Sequence, residues 1–123
     1  MKKLYVLLIM ALVPTTIFFG CKHDPVLPEH EVSFSQEILP IMQMGCQHAG
    51  CHGDSLNQQS PLTNYDEVMA FGDIKAGKPY DSKLYEVITT TEVEDRMPYQ
   101  MAPLNDRNID LIFIWIAQGA KDN

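Results

Sequence analysis

Seven consecutive residues, Cys46-Gln47-His48-Ala49-Gly50-Cys51-His52, constrain this chain more than any other stretch. Two thiols followed directly by an imidazole are the groups needed to bond a porphyrin through its two vinyl side chains while the histidine turns its ring toward the iron, as in the Cys-x-x-Cys-His arrangement. Here Gln47 to Gly50 separate the cysteines, so the loop has to bulge to keep both sulfurs over one macrocycle. Gly50, just before the second cysteine, supplies the backbone freedom for that bulge. Two other chemistries use the same residues. Cys46 and Cys51 can close a disulfide in an oxidising compartment, leaving His52 as an ordinary loop residue. Alternatively, they can join His48 or His52 in a tetrahedral metal site, since zinc takes sulfur and imidazole ligands, although seven residues crowd four ligands tightly.

The start of the chain places that loop in a compartment. Lys2 and Lys3 precede an apolar run from Leu4 to Phe19, and the small residue Gly20 stands before Cys21. This is the build of a secretory signal, and a cysteine at the cleavage point resembles a bacterial lipoprotein signal. We therefore expect residues 1–20 to be a signal peptide and Cys21 to carry lipid. The run is marginal in length for a retained membrane span. With Cys21 acylated, the other two of the three cysteines lie in the loop and no thiol is left over. The expected location is the periplasmic side of a Gram-negative membrane, an oxidising space.

The 123 residues carry 9 basic and 16 acidic side chains, a net charge of −7. Removal of Met1 to Gly20 takes Lys2 and Lys3 with it, leaving seven basic against sixteen acidic residues and a net charge of −9. Nucleic acid is excluded as a partner because phosphate binding needs a basic face. A protein partner would meet the acidic surface with a basic patch.

Residues 21–31 hold Pro25, Pro28, His23 and His30 and few apolar side chains, the composition of an extended tether. A single domain, 32–123, follows. Ser33 and Gln36 have capping-box spacing. Phe34, Ile38, Ile41 and Met42 recur on one helical face, with Pro40 bending the helix or sitting in its first turn, and the helix delivers Met44 and Gly45 to Cys46. Residues 53–61 are polar and read as a loop. Asn64 caps a short helix through Tyr65, Val68, Met69 and Phe71, closed by Gly72. Asp81 or Ser82 starts a third helix in which Leu84, Tyr85 and Ile88 share a face. Asn105 caps the clearest one, Asp106 to Gln118, with Ile109, Ile112, Phe113 and Ile116 in one stripe, Leu111, Ile114 and Trp115 widening it, and Gly119 as its stop. No strand pattern stands out. The class is all-α, about four short helices.

Taken together, these pieces resemble the monohaem cytochrome c-like domains of bacterial lipoproteins, in which the four-spaced attachment motif is common. The resemblance runs from Val32 to Ala120: Phe34-Ser35 to Ile38-Leu39-Pro40-Ile41, the Cys46–His52 loop, Leu84-Tyr85 ahead of Arg96-Met97-Pro98, and Leu104-Asn105-Asp106, Ile109, Trp115-Ile116, Gln118-Gly119-Ala120. It implies one covalently attached haem c, with Cys46 and Cys51 as its thioether residues, His52 as proximal iron ligand and Met97 as distal ligand. A neutral imidazole is a good iron ligand, and a thioether opposite it raises the reduction potential. Pro98 restrains the backbone beside Met97. Met101 is the rival ligand. Met42, Met44 and Met69 are assigned to packing, and Trp115 to the core against the haem edge. The function implied is one-electron transfer to other redox proteins, without catalysis and without a small-molecule substrate. Two further classes use the same chain: a haem enzyme or small-ligand sensor with an open sixth iron site, and a haem-free surface lipoprotein stapled by Cys46 and Cys51.

Overall fold

The computed structural model describes Pro25, Val26, Pro28, residues 30–48, Cys51, His52 and residues 61–123. Residues 1–20, expected to be a signal peptide, and Cys21, the expected lipidation position, lie outside the described residues, as do Ala49, Gly50 and the polar stretch 53–60. Among the described residues there are four α-helices and no strand: α1 Leu39–Gly45, α2 Tyr65–Phe71, α3 Lys83–Thr89 and α4 Asp106–Ala117. No described helix is long and apolar enough to cross a membrane.

A π turn, Phe34–Ile38, runs directly into α1. Pro40 explains it. Proline has no N–H, and its ring would clash with the carbonyl four residues earlier in an α-helix; a turn widened to i→i+5 relieves that approach, and Ile38 N–H donates to the Ser33 carbonyl at 3.2 Å. The widening also alters the cap. Ser33 Oγ accepts from Gln36 N–H as its spacing predicts, but the reciprocal acceptor for Ser33 N–H is the Glu37 carboxylate, at 2.9 Å, one residue beyond Gln36.

Helix α2 starts at Asn64, whose Oδ1 accepts from Glu67 N–H at 3.0 Å. Gly72 closes it for a reason other than a left-handed turn, since its φ is −73°. A Cβ there would stand 2.5 Å from the Val68 carbonyl oxygen and 3.2 Å from Ile74 Cγ1, so only glycine fits the approach. The positive φ falls on the next residue, Asp73, at 42°. Ser82 precedes α3 but its side chain does not cap it. The buried Oγ instead accepts from Lys75 N–H and donates to the Lys78 carbonyl, both at 2.9 Å, and so folds the connector 75–82 onto itself.

Helix α4 is the centre of the fold, touching the π turn, the short 3₁₀ turn Pro79–Asp81 and α3. Asn105 Oδ1 caps it by accepting from Asn108 N–H at 2.9 Å. Gly119, at φ +105°, ends it in the left-handed conformation, with Ala120 N–H donating to the Trp115 carbonyl. Ile112, Phe113, Ile114, Trp115 and Ile116 are all buried, so the helix is enclosed around most of its girth. Helices α1, α2 and α3, seven residues each, are too short to persist alone. Each is held by the side chains it buries, at about 1.5–3 kcal/mol for a fully buried large aliphatic residue.

The described residues of the stretch expected to be a tether are seated against this core. Pro25 is buried, and Pro25, Val26, Pro28 and His30 border a shallow recess with Arg107, Asp110, Leu111 and Ile114 of α4. Gln118 locks the entry, accepting from Val32 N–H and donating to the His30 carbonyl. Met44, assigned to packing from its sequence position, is 70% exposed, whereas Met42 is fully buried and Met69 packs against the core.

Candidate functional site

Helix α1 ends where the Cys46–His52 loop begins. Cys46 N–H and Gln47 N–H both donate to the Met42 carbonyl, at 2.8 and 2.9 Å, so the first cysteine leaves the last helical turn in a set direction. The loop then closes on itself: Cys51 N–H donates to the His48 carbonyl at 2.9 Å and His52 N–H to the Cys46 carbonyl at 3.3 Å. Two bonds tie it to the strand of chain beyond the polar stretch, Leu62 N–H to the His52 carbonyl at 3.1 Å and Gln47 Nε2 to the Leu62 carbonyl at 2.7 Å. These backbone bonds give Cys46, Cys51 and His52 a common anchorage.

The methionine loop arrives from the other side. Met97 N–H donates to the Val87 carbonyl of α3 at 2.8 Å. The Met97–Pro98 peptide bond is cis. Met97 is half-buried and packs against the core, while Met101 is 43% exposed. Beyond them, Leu104 approaches α1 so closely that a Cβ on Gly45 would lie 2.9 Å from Leu104 Cδ2. Gly45 thus lets the methionine loop and the cysteine loop close over the same space.

That space is a cavity of about 620 Å³, within the range of roughly 300–1,000 Å³ usual for cofactor and ligand sites. Cys46, Cys51, His52, Met97 and Met101 all line it, although they come from stretches of chain some fifty positions apart. Leu84, Val87 and Ile88 of α3 form an apolar wall, with Leu62, Phe71 and Gly72 completing it and Tyr99 at the methionine loop. His48 also borders the cavity.

Cys46 and Cys51 are both free thiols, the first buried and the second exposed. Burial pushes the Cys46 thiol up to about 11 from its usual 9.0, and the neighbouring Cys51 sulfur adds to the shift. Among the described residues, no three His, Cys, Asp or Glu side chains are grouped to hold a metal ion.

Three features of the site differ from the sequence reading. Trp115 is a core residue, 1% exposed, but it lies away from the cavity, stacked near Phe34 and Tyr65 with Nε1 donating to the Lys121 carbonyl at 2.9 Å. Tyr85 turns from the apolar wall into a ring cluster with Tyr80 and Phe113. Val87 takes its place on the wall, a position its neighbour Leu84 three residues earlier could have signalled. Lys83 borders the cavity as well, and nothing in the sequence distinguishes it from the other lysines. Comparison with protein-family models, curated proteins and solved structures gives no match to this chain.

Proposed function

We propose that the chain is a c-type cytochrome: a lipid-anchored carrier, held at Cys21 on the periplasmic side of a membrane, that passes single electrons between other redox proteins. The observation that carries this reading is the convergence of Cys46, Cys51, His52 and Met97 on one largely apolar cavity. The donor set fits the group, with two thiols for thioether bonds, an imidazole next to the second of them, and a thioether sulfur from an independent loop.

Haem bonded there would supply an iron that accepts and returns one electron. Cys46 and Cys51 would hold the macrocycle, His52 would be its proximal ligand and Met97 its distal ligand, with Met101 the alternative. Met97 is preferred because its backbone is tied to Val87 and its side chain is half-buried, whereas Met101 sits farther into solvent. Leu84, Val87 and Ile88 wall one side of the cavity with apolar side chains, which would exclude water from a haem held there and give its iron a surrounding of low polarity. The four helices around the cavity support a cytochrome c-like domain.

The test is a pyridine haemochrome spectrum with intact mass, on protein made in a host with cytochrome c maturation. One covalently added haem per chain is expected. A colourless chain that folds normally overturns the reading. A high-spin ferric spectrum would move the protein to the class with an open sixth position.

A further inference from the structure

The wall of the cavity is apolar apart from a few groups, and their charges are unequal. Its titratable members are Cys46, Cys51, His48, His52 and Tyr99 from the two loops, and Lys83 from the first turn of α3. Among the described residues of that wall, Lys83 is the single ammonium, in a chain whose net charge is −7. Its placement is enforced by the backbone. Lys83 N–H donates to the Asp73 carbonyl at 3.4 Å, and Leu84 N–H donates to the Gly72 carbonyl at 2.8 Å, so the start of α3 is fastened to the end of α2 at the cavity edge. The buried Ser82 Oγ, bonded to Lys75 N–H and the Lys78 carbonyl, fixes the residue just before. The ammonium donates to the Glu86 carboxylate, 2.9 Å away on the same helix, which does not line the cavity.

We propose that Lys83 is the counter-charge for a carboxylate of the group held in this cavity. The inference rests on the haem reading, because haem carries two propionate carboxylates on one edge while the remainder of the ring is apolar. An anionic edge entering an apolar cavity in an acidic protein is costly unless a cation meets it. Lys83 meets that requirement, half-exposed at the rim, where it can turn from Glu86 to a bound carboxylate without a backbone change. Lys75 is the natural comparison, since it lies in the connector just before α3, is paired with Asp73, and does not line the cavity.

The experiment uses full-length, haem-loaded protein and follows the reduction potential against pH for Lys83→Gln, Glu86→Gln, Lys83→Arg and Lys75→Gln. A nearby ammonium holds a carboxylate ionised to lower pH. Lys83→Gln should therefore lower the potential at neutral pH and move the proton-linked transition up by roughly one pH unit. Glu86→Gln, which removes the competitor for the ammonium, should shift both in the opposite direction. Lys83→Arg and Lys75→Gln should retain the wild-type profile. A Lys83→Gln profile that superimposes on wild type overturns the pairing, as does an equal shift in Lys75→Gln. Should Lys83→Gln fail to retain haem, Lys83→Arg decides: the wild-type profile supports the pairing and loss of haem there too overturns it. Wild-type protein without a haemochrome spectrum defeats the haem reading itself, a result distinct from haem-bearing variants with unchanged profiles.

Discussion

At the level of single residues, the two methionines and the two cysteines are unequal pairs, and burial is what divides them. Met97 is half-buried, packed against the core and backbone-anchored, whereas Met101 is 43% exposed. In haem-loaded protein, Met97→Ala should lower the reduction potential and open the iron to added imidazole or cyanide, read as a shift of the visible spectrum. Met101→Ala should leave both within error of wild type, and the reverse pattern would move the ligand to Met101. The cysteines differ in the same way. Cys46 is buried and its thiol is pushed up to about 11, while Cys51 is exposed. Because the thiolate is the nucleophile, iodoacetamide at pH 8 should label Cys51 well before Cys46 in folded protein made without the cofactor. Peptide mass mapping reads the order, and faster labelling of Cys46 would show that the thiol is not buried as described.

Helix starts dominate at the next scale. Two of them are completed by a carboxylate reaching back to the helix entry: Glu37 accepts from the cap Ser33 N–H at 2.9 Å, and Glu67 accepts from N–H and Oγ1 of Thr63, the residue before the cap Asn64, at 2.9 and 2.6 Å. The bond from Ser33 is the main cause of the lowered Glu37 value, against a small opposing effect of burial, and the bonds from Thr63 lower Glu67. Both folded values lie below the ordinary 4.5, so their stabilisation is complete above that pH and is lost as the pH falls through the lowered values. Thermal denaturation between pH 6 and pH 3 should show the melting temperature falling less steeply in the Glu37→Gln/Glu67→Gln double variant than in wild type. Both residues are only partly buried, so solvent screens these contacts and the effect is modest. The Glu37 contact also shows how an element departs from its spacing. The box predicted between Ser33 and Gln36 shifts by one residue because Pro40 widens the turn.

Across the whole molecule, α4 separates two kinds of interior. One side carries the aromatic cluster of Phe34, Tyr65 and Trp115, with ring centroids 5.3 to 6.4 Å apart, and the helix also packs against α3, whose Leu84, Val87 and Ile88 wall the cavity. Trp115→Phe should therefore lower the melting temperature, at a cost below the roughly 3–5 kcal/mol of a full truncation to alanine. It should leave the haemochrome spectrum and reduction potential unchanged. A shifted potential would mean that Trp115 communicates with the cavity after all. Asn123 is joined to the start of the π turn on the same aromatic side: its main-chain oxygen accepts from Ser33 Oγ, Ser35 N–H and Ser35 Oγ, each at 2.9 Å, and its Oδ1 accepts from Phe34 N–H. This clasp closes the π turn and α4 into one unit.

The helices, their caps at Asn64 and Asn105, the stop at Gly119 and the cysteine–histidine loop were legible in the order of residues, because each depends on groups within about five positions of one another. Which methionine is the more enclosed, which face of α3 walls the cavity, why Gly45 and Gly72 have no side chain and where Trp115 points were not. Those depend on what the chain brings alongside from distant positions: Leu104 against Gly45, Ile74 against Gly72, Val87 against Met97. Local hydrogen bonding and periodicity are written in adjacent residues, whereas enclosure belongs to surfaces that exist only once separate helices have met.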